Sequence, residues 1–289
     1  TAASSIIGPI IPPSIIMVIY GSMMSVSIAG LFAAGIVPGV LVGVALMLLS
    51  ARISKKRNYP KGKRMASLRE IGAAFRKAFI PLLTPVIILG GILTGIFTPT
   101  EAAAVAVFYA MIIGFFVYRN FSLRDLPKVL FEMVRNSGSV FVILSAAAIL
   151  GWVLASEQVP ELVGAKIMSI SSGKYTALLI INVILLVIGM FMDMTAVIII
   201  MGPILHPLAV SLGIHPLHFG IIMIVNVNIA LMTPPLGACL FVACSISRIS
   251  LESISKEILP FIAVEAAVLI LVTYVPAISM TIPKLLGLA

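Results

Sequence analysis

No aspartate, glutamate, lysine or arginine occurs from Thr1 to Ala51, and none occurs again from Met194 to Ser247. Further uncharged runs cover 78–100, 102–118 and 136–156. A helix needs about 20 mostly apolar residues to cross a hydrocarbon core of about 30 Å, and several of these runs are that long. Composition closes the alternative. Hydrophobic residues make up 61% of the 289 and charged residues only 10%, against about 25% charged in ordinary soluble domains. One soluble core could not hide that much apolar surface. The chain reads as an all-α polytopic membrane protein lodged in a lipid bilayer.

The formal charge of +9 invites a nucleic-acid reading, which fails on location. Ten of the 19 basic residues lie between Arg52 and Lys77, opposed there only by Glu70. Arg119, Arg124, Lys128 and Arg135 fill the next charged loop. Basic loops flanking apolar spans belong on the cytoplasmic side, and no recognition motif or stacking aromatics accompany the charge. Cys239 and Cys244 sit in an apolar segment without CxxC spacing and read as packing residues. The opening Thr-Ala-Ala-Ser-Ser lacks the basic stretch and short apolar run of a signal peptide. It reads as an entry into the middle of an element.

Two stretches share one spaced pattern. Ile11-Pro12-Pro13-Ser14 precedes an apolar helix, a serine-containing break at 22–27, and Pro38 at the opening of a long apolar run. Thr233-Pro234-Pro235-Leu236 precedes an apolar helix, a break at 244–250, and Pro260 in the same place. A single offset of 222 residues aligns the Pro-Pro pairs, Ser25 with Ser247, and the later prolines. Counting spans from the cytoplasmic basic loop orients the copies. The run 31–50 goes inward, 80–97 outward, 102–118 inward and 137–155 outward, leaving 157–174 outside. A broken helix over 175–208 then returns inside. The segment 219–232 is too short at about 21 Å to cross, so it and 238–247 read as a re-entrant hairpin with its Pro-Pro tip at mid-membrane. The last run, 258–282, goes outward. The copies are therefore inverted, as in many secondary transporters. By the same logic about 140 residues are expected to precede Thr1 in the whole protein.

The breaks carry the chemistry. Pro234 and Pro235 lack N–H donors, so the carbonyls of Ala230 and Leu231 lose their helical partners. In hydrocarbon such carbonyls persist only where something satisfies them, and hard oxygens suit sodium. Thr233 reads as an N-cap for the following half-helix, whose positive end favours an anion. Pro12 and Pro13 free Gly8 and Pro9 in the same way, with Ser4, Ser5 and Ser14 nearby. The plain alternative is a Pro-kinked helix packed by its neighbours. Gly189-Met190-Phe191-Met192-Asp193-Met194-Thr195 sets a carboxylate in another apolar stretch, which is functional by default or caps the next helix.

Other motifs read as structure. Thr98-Pro99-Thr100-Glu101 matches a capping box. His206, His215 and His218 read as solvated loop residues, and Glu265 as an intramembrane pairing residue. The segment 122–136 reads as an amphipathic helix at the cytoplasmic interface.

Four ordered motifs now resemble one family. They are 4–14 (SSIIGPIIPPS), 95–103 (GIFTPTEAA), 189–193 (GMFMD) and 231–237 (LMTPPLG). Together they resemble the large membrane (M) subunit of tripartite ATP-independent periplasmic (TRAP) transporters over the length of the chain. The resemblance implies an inverted-repeat, elevator-type transporter of the bacterial inner membrane, with re-entrant hairpins and discontinuous helices. It implies sodium-coupled import of organic acids such as C4-dicarboxylates or sialic acid, with sodium as coupling ion and no other cofactor. Implied partners are a small membrane (Q) subunit and a periplasmic substrate-binding (P) protein. It places one sodium at Ser5, Gly8 and Pro9, and another at Gly189, Asp193, Met232, Thr233 and Gly237, with Ser4, Ser14, Thr195, Ala230, Leu231 and Pro234 beside them. The expected organisation is a first-hairpin remnant over 1–27, then a membrane helix and basic loop over 28–79. Scaffold helices cover 80–174, the broken helix and second hairpin 175–250, and a C-terminal membrane helix 251–289.

Other classes fit less well. A divalent anion–sodium symporter working without a binding protein would carry Ser-Asn-Thr at its hairpin tips. An intramembrane enzyme would need HExxH or a Ser–His pair within spans, and a passive channel would not explain dead-ended hairpins.

Overall fold

The computed structural model describes residues 2–59, 66–119, 121–171, 173–235 and 237–289. Part of the basic loop (60–65) and Leu236 of the second Pro-Pro motif lie outside the described residues. In chain order the helices are α1 (Ala2–Ser5), α2 (Ile7–Ile10), α3 (Ile15–Met23), α4 (Ile28–Lys56), α5 (Leu68–Leu93), α6 (Pro99–Ile112) and α7 (Leu126–Ser156). They continue as α8 (Val159–Ile170), α9 (Lys174–Gly189), α10 (Met194–Ser211), α11 (Pro216–Ala230), α12 (Ala238–Ser247), α13 (Leu251–Tyr274) and α14 (Ala277–Leu285). Among the described residues, six helices are long and apolar enough to cross a membrane, or up to eight if each bent pair counts as one span.

Two compact units divide the chain, one of Thr1–Ala51 with Ile143–Ala289, the other of Arg52–Val142. In the second unit α5 and α6 form an antiparallel pair. Ser67 and Thr98 open them with complete capping boxes, Glu70 and Glu101 each reaching back to the cap nitrogen at 2.8 Å. Gly95, at φ 74°, makes the turn between them. Tyr109 and Tyr118 donate across the pair to the carbonyls of Ile80 and Lys77. The outer surface stays apolar: Val86 is 61% exposed and Phe116 73%. Such surface is stable against lipid and not against water. The segment expected as a separate amphipathic helix over 122–136 is instead the start of α7, which runs unbroken for 31 residues. Nothing in its sequence after Pro127 stops a helix.

The first unit carries both repeat copies. One end of it, here the near end, is a cleft lined by Tyr175 at the start of α9, Gly213 and His215 between α10 and α11, and Tyr274 at the end of α13. Tyr274 donates to the Tyr175 carbonyl at 3.0 Å, and His218 meets Ser279 at 2.7 Å. Directions follow from these contacts. Helices α9 and α11 both leave the near end and run parallel, joined by Asn226 and Asn182 midway and by Gly189 against Ala230 at their inner ends. Since α10 ends at the near end, the chain turns back at 189–193. The expected single broken crossing over 175–208 is therefore corrected to an antiparallel pair, α9 and α10.

The second correction mirrors the first. Helix α13 has 24 residues, about 36 Å, and ends at the near end, so it begins far from it. Helix α12 leads into that beginning. Helices α11 and α12 thus follow one another across the unit instead of folding back as a hairpin. In the first copy α1 and α2 are bent from α3 by only 45°. Ala2 and Ala3 lie at the far end beside Ile246 and Ile258. At the other end α3 meets His206 and Gly220 through Tyr20. Both Pro-Pro segments are breaks in a crossing, and 189–193 is the reversal. The two corrections cancel in the count of crossings, so the inversion stands: α4 leaves the near end where Gly30 meets Leu217, whereas α13 arrives there.

A labelling experiment checks this arrangement. Single cysteines at Gly213 and Thr281 are expected to react from one side of the membrane, and a cysteine at Ile249, just before α13, from the other. Reaction of Gly213 and Ile249 from the same side would mean that α11 and α12 fold back as a hairpin.

The C-terminal run also divides. Val275 leaves the helical region at φ −119°, ψ 82° because the residue before a proline disfavours helix. Pro276 then opens α14.

Candidate functional site

Three chain breaks meet inside the first unit. At the second Pro-Pro segment α11 ends at Ala230, and Thr233 remains 7% exposed with Met232 fully buried. The expectation that Ala230 and Leu231 keep free carbonyls is corrected. The Ala230 carbonyl accepts from the Thr233 nitrogen at 3.0 Å, and the Leu231 carbonyl accepts from the Cys239 nitrogen at 3.2 Å. Each oxygen has two lone pairs, so one bond leaves capacity for a cation. Thr233 is not the N-cap of α12 either. Its hydroxyl donates backward to the Ile229 carbonyl at 2.8 Å, and Gly237 occupies the cap position. The reason is the length of the Pro-Pro turn: the chain needs four more residues before it can resume a helix. Pro12–Pro13 and Pro234–Pro235 are both cis.

Gly237 folds tightly over that turn. A Cβ there would stand 2.7 Å from the Leu231 oxygen and 3.0 Å from the Met232 carbonyl carbon. Gly189 is equally confined, with Ala230 Cβ 2.6 Å from where its own would be. Gly189 thus lets the end of α9 lie against the end of α11 at Ala230, and Gly237 lets its chain close over Leu231 to Thr233. Asp193 caps α10, accepting from the Thr195 nitrogen at 2.9 Å, and is exposed. Pro234 is half-buried in the break.

At the first break Ser14 is buried and caps α3 through the Met17 nitrogen at 3.4 Å. Pro9 is half-buried within α2, and Gly8 faces open space, with nothing within 4 Å of where a Cβ would stand. Ser4 and Ser5 are exposed on α1. The Ser5 hydroxyl donates to the Ala2 carbonyl at 2.7 Å and reaches Cys239 Sγ at 3.5 Å. Thus Ser5 and Cys239 tie the first break to the start of α12. The residues expected at two sites fall on three adjoining breaks. Ser14 and Asp193 have their side chains committed to caps.

Several polar residues escaped the sequence reading. His206 is not in a loop but on α10, paired with Tyr20 at 2.7 Å. His218 is buried on α11, and His215 caps that helix. Asn226 donates to the Asn182 side-chain oxygen at 2.8 Å, and Asn182 donates to Thr273 at 3.2 Å. Two asparagines in the otherwise apolar stretch 219–232 were the available signal. Glu265, expected to pair, has no hydrogen-bond partner at either oxygen.

Comparison with known proteins agrees with the motifs. The family model of the tripartite ATP-independent periplasmic transporter, DctM component, matches residues 1–278. The chain belongs to the DctM family. Among relatives, it is 46% identical to the isethionate TRAP transporter permease protein DctMQ of Oleidesulfovibrio alaskensis, over 96% of this chain and 44% of that protein. It is 42% identical to the C4-dicarboxylate TRAP transporter large permease protein DctM of Pseudomonas aeruginosa, over 98% of this chain and 66% of that one. Identity is 41% to the sialic acid TRAP transporter large permease protein SiaM of Vibrio cholerae, over 99% of this chain and 66% of that one. The chain thus spans about half to two thirds of the length of these DctM-family relatives, which are transport permeases.

Proposed function

We propose that this DctM-family chain forms the ion- and substrate-handling part of a sodium-coupled importer of small organic anions in the bacterial inner membrane. The observation that carries this reading is the convergence of three helix breaks. Helices α2, α9 and α11 end there, offering C-terminal carbonyls to a cation, while α3, α10 and α12 begin there, offering positive N-terminal ends to an anion. No lysine or arginine lies on α2, α3 or α9 to α12 near the breaks, so counter-charge for an anion comes from helix ends and bound sodium. The Leu231 and Thr233 region with Gly189 and Asp193 supplies one sodium site, and Ser5, Gly8 and Pro9 supply the other. Substrate and sodium move together with the broken helices in an elevator stroke. A small membrane subunit and a periplasmic binding protein complete the system, the latter delivering the substrate. The names of relatives, for C4-dicarboxylates, sialic acid and isethionate, support a small organic acid as the substrate.

Uptake in proteoliposomes containing the full transporter tests this, with sodium replaced by choline and the binding protein present or omitted. Uptake is expected only with both. In that assay Thr233→Ala is expected to raise the sodium concentration for half-maximal uptake about tenfold, as loss of one ligand worth about 1.4 kcal/mol would do, whereas Thr233→Ser retains the hydroxyl and stays near wild type. Equal sodium dependence in Thr233→Ala and wild type removes Thr233 from the ion site.

A further inference from the structure

Four buried side-chain atoms among the described residues lack any hydrogen-bond partner: Oε1 and Oε2 of Glu265, and Oδ1 of Asn226 and of Asn228. All four are acceptors. No buried side-chain donor among the described residues is left over to match them, and all three residues are fully buried at 0% exposure. Buried polar groups are otherwise almost always satisfied, and an unpaired buried carboxylate is far costlier than an unpaired amide. Glu265 lies midway along α13, which packs against α11, the helix that carries both asparagines, and also against α12 and α1.

No described side chain in the neighbourhood offers a positive charge. Helix α13 packs against α11, α12 and α1, and touches α9 through Thr273 and Tyr274. The titratable groups on these elements are His218 on α11, Cys239 and Cys244 on α12, and Lys174 and Tyr175 on α9. His218 is already engaged with Ser279 and the Thr273 carbonyl. Lys174 and Tyr175 lie at the near end, beside Tyr274 and nine residues along α13 from Glu265. On α13 itself, Glu252, Lys256 and Glu257 lie two turns or more toward its start, Lys256 being bonded to Glu252 at 2.8 Å. The stretch 258–264 adjoining Glu265 is uncharged, as is 266–273.

We infer that Glu265 is a further cation site of the first unit, separate from the three breaks, where a monovalent cation, a proton or a sodium ion, neutralises the carboxylate between α13 and α11. Either cation supplies what the acceptors lack. A proton turns the carboxylate into an acid that donates to a neighbouring oxygen, and sodium binds the carboxylate oxygens directly. The packing of α13 on α11 therefore depends on occupancy. With the cation bound the helix pair is neutral and closed. Without it, an ionised carboxylate must draw in water or move away from α11.

The test is thermal unfolding of the full transporter in detergent, comparing wild type with Glu265→Gln, which keeps shape and loses charge. Sodium is titrated against choline at fixed alkaline pH, and pH is varied at fixed choline. If sodium is the ligand, the wild-type Tm rises by roughly 3 °C for each tenfold increase in sodium above its Kd, and Glu265→Gln loses part of that rise. Thr233→Ala, by contrast, keeps the part that depends on Glu265. If the ligand is a proton, the wild-type Tm is high at acid pH and falls as pH is raised without sodium, while Glu265→Gln is flat across the same interval. Superimposable curves for the two proteins in both titrations overturn the inference. Should the glutamine variant fail to fold, Glu265→Met takes its place, and a wild-type Tm that responds to neither sodium nor pH overturns it without any variant.

Discussion

Gly189→Ala is expected to abolish sodium-driven uptake, and Ala230→Gly in the same chain is expected to restore most of it. The added methyl would lie 2.6 Å from Ala230 Cβ, inside any tolerable carbon–carbon contact, and both positions are on helix backbone that cannot swing aside. Overpacking of this kind costs about 1–3 kcal/mol. Here the strain falls where the end of α9 meets the end of α11, next to Leu231, so it is expected to displace the oxygens proposed to hold sodium. Removing the Ala230 methyl reopens the space, because the next atom, Val227 Cα, stands at 3.9 Å, an ordinary contact. The measurement is a double-mutant cycle on initial uptake rate and on sodium concentration for half-maximal uptake. Touching residues in such cycles couple by about 0.5–3 kcal/mol. Additive losses, with the double variant worse than either single one, would mean that the two residues do not meet.

Gly237→Val is expected to be the more severe single change. Its Cβ would fall 2.7 Å from the Leu231 oxygen, 3.0 Å from the Met232 carbonyl carbon and 3.1 Å from the Thr233 nitrogen. All three are backbone atoms of the turn itself, so no side-chain rotation relieves the clash. Either the turn opens or α12 shifts, and in both cases the Leu231 carbonyl loses its bond from the Cys239 nitrogen. A loss of roughly 100-fold in uptake corresponds to about 2.7 kcal/mol, within reach of one such distortion. Gly151→Ala serves as the control, since nothing lies within 4 Å of its Cβ position on α7. It is expected to transport like wild type with comparable yield in the membrane. Wild-type uptake by Gly237→Val would show that the turn at 231–237 is not held in the arrangement described.

Much of this protein was legible in its sequence. Long uncharged, continuously apolar runs satisfy their backbone groups in hydrocarbon as helices, since the alternative, a closed barrel, needs short strands of alternating polarity. The spaced Pro-Pro and proline pattern announces a duplication, and proline's missing N–H marks the two Pro-Pro breaks to within a few residues. The capping box at Thr98 is equally local, because a side chain reaching three residues along its own chain needs no tertiary partner.

Tertiary structure decided which break turns the chain and which merely interrupts it. Pro-Pro at 12–13 and 234–235 looked like hairpin tips, yet these segments continue a crossing, while the reversal sits at 189–193, where no proline stands. Local sequence specifies where hydrogen bonding stops. The direction taken afterwards depends on which helix faces fit together, here on Gly189 lying against Ala230 and Asn226 reaching Asn182. The fate of freed carbonyls is likewise non-local: the Leu231 oxygen is taken by Cys239, eight residues on. Glu265 makes the same point from the other side. An isolated glutamate in an apolar run reads as half of a pair, and only the packing of α13 on α11 leaves it with no donor at all.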